Sequence, residues 1–78
     1  MDFRKATETL CAGVSHEELA KALGVSVATV RQARLRREAK AHRSPPENWR
    51  DTVRRLAAQR ASEYQRLISS LDDRDGNN

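Results

Sequence analysis

The sequence predicts an all-α chain in which three short helices are followed by one long C-terminal amphipathic helix. Apolar residues recur at spacings of three and four, the period of helices that bury one face. A serine or an aspartate precedes each of these repeats, where a helix N-cap is expected. The proline pair Pro45–Pro46 separates the short repeats from a single long apolar stripe, so the chain divides into two regions.

The charge of the chain is concentrated in its middle. The 78 residues carry a net charge of +4, yet the stretch from Arg31 to Arg43 alone holds six basic residues and one acid. A focused basic stretch of this kind is typical of proteins that bind nucleic acid. No apolar run is long enough to cross a bilayer and no signal peptide is evident, so we expect a cytoplasmic, nucleoid-associated protein without membrane contact.

The first helix is expected over residues 2–12. Asp2 can cap its start, Gly13 can end it, and Phe3 and Leu10 belong to its apolar face. Cys11 has no second cysteine to pair with, so we expect a small, buried apolar residue. A chain of this length with few aromatic residues builds a small core of Leu, Val and Ala, and dimerisation would stabilise it.

Two further helices are predicted at 15–23 and 26–40. Ala20 provides the small residue that two crossing helices need at their closest approach, and Gly24 suits the turn between them. Ser15 and Glu18 have the spacing of a capping box, and Ser26 is a good N-cap. The inward-facing positions are Leu19, Ala20, Leu23, Val25, Val30 and Ala33. Residues 1–43 are therefore predicted to form a helix-turn-helix region.

The segment SHEELAKALGVSVATVRQARL (15–35) resembles the helix-turn-helix of small bacterial and phage transcriptional regulators, the lambda-repressor-like and Cro-like proteins. The resemblance covers about a quarter of the chain. It implies that the first helix of the pair lies across the DNA backbone while the second enters the major groove. It also implies base contacts from the start and middle of the second helix, at Val27, Ala28, Arg31 and Gln32.

The side chains at these positions suit different bases. Arg31 can donate two hydrogen bonds to guanine, Gln32 can pair with adenine, and the methyl groups of Val27 and Ala28 can contact thymine. Many repressors have polar residues at the helix start, so the Val27–Ala28 pair departs from the family and predicts sparse direct readout. Phosphate contacts are expected from His16, Ser26, Thr29, Arg34, Arg36 and Arg37.

The last helix is expected from about Pro46 to Leu71. Ser44 would cap it and form a second capping box with Glu47, with Pro45 in the first turn. Its apolar stripe consists of Trp49, Val53, Leu56, Ala57, Tyr64, Leu67, Ile68 and Leu71.

Two arrangements of this helix are open. In one, the whole helix folds over the short helices. In the other, which we favour, its first half covers them and Tyr64, Leu67, Ile68 and Leu71 are left for a second copy. Residues 44–71 would then serve both core covering and dimerisation, and 72–78 would form a disordered acidic tail.

These observations favour a DNA-binding regulator over an enzyme. The sequence has no catalytic constellation, no metal-ligand spacing and no glycine-rich phosphate loop, so we expect no cofactor, metal or small-molecule ligand. The predicted function is sequence-specific binding of double-stranded DNA by a homodimeric repressor from a bacterium, phage or other mobile element. The alternative is an anti-activator that binds another protein through the apolar outer face of Val27, Ala28 and Leu35. A third possibility is an architectural or excision factor, which would bend DNA.

Overall fold

The computed structural model describes residues 1–73, and these residues form four helices and no strand. Helix α1 spans Phe3–Leu10, α2 spans His16–Leu23, α3 spans Val27–Ala33 and α4 spans Trp49–Asp72. The predicted all-α class, with three short helices and a long C-terminal one, is confirmed.

Helix α1 begins as predicted and ends earlier than predicted. The Asp2 carboxylate accepts a hydrogen bond from the Lys5 backbone N–H at 2.8 Å, which confirms the expected cap. The helix ends at Leu10 rather than at residue 12, with Cys11 as its C-cap. Gly13 lies beyond this end, where an added Cβ would stand 3.3 Å from the Tyr64 hydroxyl. This glycine therefore allows close approach to α4 instead of ending α1.

The connection between α2 and α3 follows the sequence prediction closely. Gly24 adopts a left-handed conformation with φ 74°, and the Val25 backbone N–H donates to the Ala20 carbonyl at 3.0 Å. Ser15 and Ser26 cap the two helices through hydrogen bonds from backbone N–H groups at 3.0 and 3.1 Å. Only half of the predicted capping box is formed, because the Glu18 carboxylate binds Arg60 of α4.

Helix α3 ends at Ala33, so the prediction of a helix over 26–40 was wrong. The positions that would continue its buried face, one turn and two turns beyond Ala33, are Arg36, Arg37 and Lys40. Helices in proteins are stabilised chiefly by packing of an apolar face, and these residues offer none. Residues 34–43 instead form a loop, hereafter the basic loop, that the Arg43 N–H closes on the Gln32 carbonyl at 3.3 Å.

Helix α4 begins at Trp49 rather than at Pro46, and the predicted Ser44–Glu47 capping box was wrong. The N-cap is Asn48, whose side chain makes no capping hydrogen bond. The helix begins where its first aromatic residue reaches α1, since Trp49 packs edge-on against Phe3 with ring centroids 5.3 Å apart. The contact of Trp49 with α1, and not the predicted Ser44–Glu47 capping box, therefore determines where α4 begins.

One apolar core joins α1, α2, α3 and the start of α4. Leu19 and Val30 are fully enclosed at its centre, which confirms the inward positions predicted for α2 and α3; Val25 is half-buried. Two polar residues that the apolar pattern did not predict, Thr7 and Thr52, are also buried. The core consists of Phe3, Leu10, Val14, Leu19, Ala20, Leu23, Val30, Ala33, Val53 and Leu56.

The chain has a body and a projecting arm. The last core residue is Leu56. Residues 57–72 of α4, hereafter the arm, are largely exposed: the first half of the arm lies beside the end of α1 and the start of α2, and the second half extends beyond the short helices. The molecule measures 56 × 20 × 19 Å, with a radius of gyration of 15.9 Å against about 11.5 Å for a compact chain of this length. The arrangement with the whole of α4 folded over the core is therefore wrong. Of the predicted tail, Asp72 belongs to α4 and residues 74–78 lie outside the described part.

Candidate nucleic-acid interface

Helix α3 presents a free outer face opposite its buried one. Val30 and Ala33 are buried, whereas Arg31 is exposed on the other side of the helix. At 1.5 Å per residue α3 is about 10 Å long, and a helix with its side chains is about 10–12 Å across, which a B-DNA major groove about 12 Å wide admits. Of the four predicted base-contacting residues, Ala28 and Arg31 are exposed and Val27 and Gln32 are half-buried.

The start of α3 carries two hydroxyl groups that contact each other. The Ser26 Oγ lies 3.0 Å from the Thr29 Oγ1 and also accepts the capping hydrogen bond from the Thr29 N–H. Ser26 is exposed and Thr29 half-exposed, so both hydroxyls are at the surface where the sequence predicts phosphate contacts.

Two of the predicted phosphate-contacting residues contact each other. Arg34, the C-cap of α3, has its Nη1 2.6 Å from the Nε2 of His16 at the start of α2. A guanidinium can only donate, so the His16 nitrogen is the acceptor in this contact. The Nε of Arg34 is enclosed without a hydrogen-bond partner. Arg34 thus links the far ends of the two helices, a role that the sequence prediction did not include.

The basic loop turns toward the start of α1. Arg37 lies near Asp2, where its charge adds to the hydrogen bond from the Lys5 N–H that mainly lowers the pKa of the Asp2 carboxyl group. A cleft of about 610 Å³ separates the loop from the first turns of α1 and α4. Its lining includes three arginines, Arg4, Arg37 and Arg50, and the ring of Trp49.

Arg4 and Arg50 are absent from the sequence-predicted site. Each belongs to a helix outside the predicted pair, and only the packing of α1 against α4 brings them beside the basic loop. Arg50 is also held locally, since its guanidinium lies 4.7 Å from the centre of the Trp49 ring and donates to the Met1 carbonyl at 2.9 Å. No local sequence signal identifies such a pair.

The described residues contain no metal-binding cluster. Within 1–73, no group of three or more His, Cys, Asp or Glu side chains could hold a metal ion. Cys11 is half-buried against the core, and burial raises the pKa of its thiol, which favours the unreactive protonated form. None of the helices within this part of the chain has both the length and the apolarity required to span a bilayer.

The arm carries the predicted interface residues, and all of them are exposed. The exposed fractions are 54% for Tyr64, 53% for Leu67, 49% for Ile68 and 70% for Leu71. An ion pair anchors the base of the arm to α2. The Arg60 Nη2 binds both carboxylate oxygens of Glu18, at 2.5 and 2.6 Å, and this hydrogen bonding raises the pKa of Arg60.

Comparisons of the chain with known protein families, with curated proteins and with solved structures give no match. Its function is therefore inferred from its own residues and their arrangement.

Proposed function

We propose that this protein is a transcriptional regulator that binds double-stranded DNA as a homodimer and inserts α3 into the major groove. The observation that carries the proposal is the pairing of α2 with α3. A turn of residues 24–26, made possible by the left-handed Gly24, connects two helices that share a buried seam. Arg31 stands on the outer face that this seam leaves free. The proposed activity is repression through occupation of a promoter.

The charge distribution supports DNA as the partner. Arg31 and the basic loop contribute a net charge of +5, and the two further arginines of the cleft, Arg4 and Arg50, extend the positive surface onto the body. Phosphate contacts dominate the affinity of proteins for DNA and add little sequence information. If five of these charges meet phosphates, the log–log slope of affinity against salt is about −4 to −5 per protomer.

The short α3 restricts direct readout of bases. Only Arg31 and Gln32 can form bidentate hydrogen bonds with base edges, because the predicted second half of the helix is a loop. Each such pair discriminates by about 1–3 kcal/mol, which is too little for one protomer to find a genomic site. Two protomers on an inverted repeat would multiply this discrimination, and for this reason the proposal includes a dimer.

The test compares two single arginine substitutions in binding to a selected duplex. Arg31→Ala should weaken binding to the preferred sequence about 10- to 100-fold and relax specificity at one base. Arg66→Ala is the matched control, because Arg66 is an exposed arginine on the arm. Equal effects of the two substitutions at all sequences would contradict the role of α3.

A second candidate function has its own supporting observation. Leu35, directly after α3, is 40% exposed, and Ala28 is exposed on the helix, so the outer surface is partly apolar. Such a surface suits an anti-activator that binds another protein. A double variant, Arg31→Ala with Arg34→Ala, that loses DNA binding and keeps its biological activity would favour this function over the first.

A further inference from the structure

We infer that the arm pairs antiparallel with the arm of a second copy, and that Leu71 of each copy enters a groove at the base of the other arm. The inference rests on the dimer of the proposed function and specifies its geometry. Three observations carry it: the apolar spacing along the arm, the groove, and the opposite charges of the two halves of α4.

The arm has the spacing of a helix that pairs with another helix. Small or apolar residues recur at alternating intervals of four and three from residue 57 to residue 71, which is the period of coiled-coil seams. Tyr64, Leu67, Ile68 and Leu71 together expose on the order of 400 Å² per copy, the size at which surface patches mark interaction sites. The recurring positions are Ala57, Ala61, Tyr64, Ile68 and Leu71.

An apolar groove lies at the base of the arm. It has a volume of about 360 Å³ and runs between the end of α1 and α4. Small residues stand on both sides of it, Ala12 and Gly13 after α1 and Ala57 and Ala61 on α4, and the larger side chains of Arg60 and Tyr64 also border it. The core residues Leu10 and Val14 also line it, so an apolar side chain placed there would extend the core. Leu71, the most exposed member of the stripe, is a side chain of suitable kind.

The charges of α4 favour a second copy in the antiparallel orientation. Residues 49–60 contain four arginines and one aspartate, whereas residues 61–73 contain three acids and one arginine. Antiparallel pairing brings the acidic end of each arm to the basic half of the partner helix. Parallel pairing would bring like charges together, which is unfavourable at an interface.

The same orientation gives a closed two-fold arrangement. A two-fold interface uses the same surface on both copies, so each copy must offer both the inserting side chain and the receiving groove. The arm does so, with Leu71 near one end and the groove near the other. The paired length, residues 57–72, is about 24 Å.

Light scattering and sedimentation of the full chain test whether this dimer exists. The unaltered chain should be dimeric at micromolar concentration. Leu71→Asp at the inserting end and Ala61→Glu in the groove should each raise the dissociation constant at least about 30-fold. Both residues are exposed in the protomer, so the fold should be kept, which circular dichroism checks. Ser62→Glu is the matched control, because Ser62 is exposed outside the stripe and the groove.

Disulfide trapping in a Cys11→Ala background tests the orientation. Antiparallel arms hold the two Leu71 residues roughly 20 Å apart, whereas a disulfide requires Cα atoms within about 7 Å. Leu71→Cys alone should therefore not cross-link. Combined with Ala57→Cys or with Ala61→Cys, it should cross-link between chains. Self-linked Leu71→Cys, a monomeric chain, or a dimer insensitive to Leu71→Asp would each overturn the inference.

A separate measurement distinguishes this inference from the proposed function. Binding of Leu71→Asp to a half-site duplex depends on α3 and not on the arm. Half-site binding without any dimer of the unaltered chain would refute the arm pairing and leave α3 as the DNA-contacting helix. A dimer of the unaltered chain that binds no duplex would refute the DNA-contacting role of α3 and leave the arm pairing intact.

Discussion

The two halves of α4 share one helix and one apolar stripe, yet their surroundings differ completely. Leu56 is buried in the core, and Leu71, four turns later, is 70% exposed. The difference arises because the apolar core shared with the three short helices includes only the first two turns or so of α4. Periodicity therefore identifies the apolar side of a helix, while the length of its neighbours decides whether that side is covered.

The largest expected effect on stability comes from the same substitution, leucine to alanine, made once in each half of α4. Leu56→Ala should lower the free energy of unfolding by about 2–4 kcal/mol, because it leaves a cavity in the core. Leu71→Ala should change it by less than about 0.5 kcal/mol at concentrations where the chain is monomeric, since the side chain is already hydrated. Urea denaturation at several protein concentrations measures both. Equal losses for the two variants in the monomer would remove the distinction between body and arm.

A substitution that restricts the backbone should also distinguish the body from the arm. Gly24→Ala should destabilise the chain by roughly 1–2 kcal/mol, because the left-handed conformation strains any residue with a Cβ. No heavy atom lies within 4 Å of the added methyl group, so the cost is conformational and not steric. Ser62→Ala on the arm is the control and should be neutral or slightly stabilising. Thermal unfolding that ranks the two variants in the opposite order would contradict the assigned turn.

The ion pair between Arg60 and Glu18 is the link between body and arm, and a smaller effect is expected there. Their side chains remain 24% and 38% exposed, so solvent screens the interaction. A double-mutant cycle with Arg60→Ala and Glu18→Ala should give a small favourable coupling free energy that decreases with added salt. A salt-independent coupling, or none, would show that the arm is held in another way.

The smallest expected effect concerns Asp2, at the N-terminus of the body. The hydrogen bond from the Lys5 N–H lowers the pKa of its carboxyl group below the ordinary value of 3.8. A lowered pKa in the folded state means that the ionised group stabilises the fold above pH 3.8 and that this contribution is lost as the pH falls through the lowered pKa. Asp2→Ala should reduce the melting temperature at neutral pH, and the difference should vanish in acid.

The sequence predicted the caps and turns of the fold better than the lengths of its helices. Ser15, Gly24 and Ser26 act through neighbours three or four residues away, and their capping and turn roles were confirmed. The predicted end of α3 and the predicted start of α4 were wrong because both depend on tertiary contacts. Continuing α3 would bury nothing apolar, and α4 begins where Trp49 packs against Phe3.

Part of the candidate site could likewise be predicted from the sequence, and part could not. The predicted residues on α3 lie together because one helix fixes their spacing. The contact between Arg34 and His16, and the position of Arg4 and Arg50 beside the basic loop, depend on how separate helices pack. Such neighbours have no fixed sequence separation, so patterns along the chain could not predict them.

Selection of bound duplexes from a randomised library, at about physiological salt, is the most direct test of sequence-specific DNA binding through α3. We expect enrichment of an inverted repeat, with one base of each half-site losing its preference in Arg31→Ala. Weak, salt-sensitive binding without enrichment of any sequence would contradict it and favour a protein partner instead.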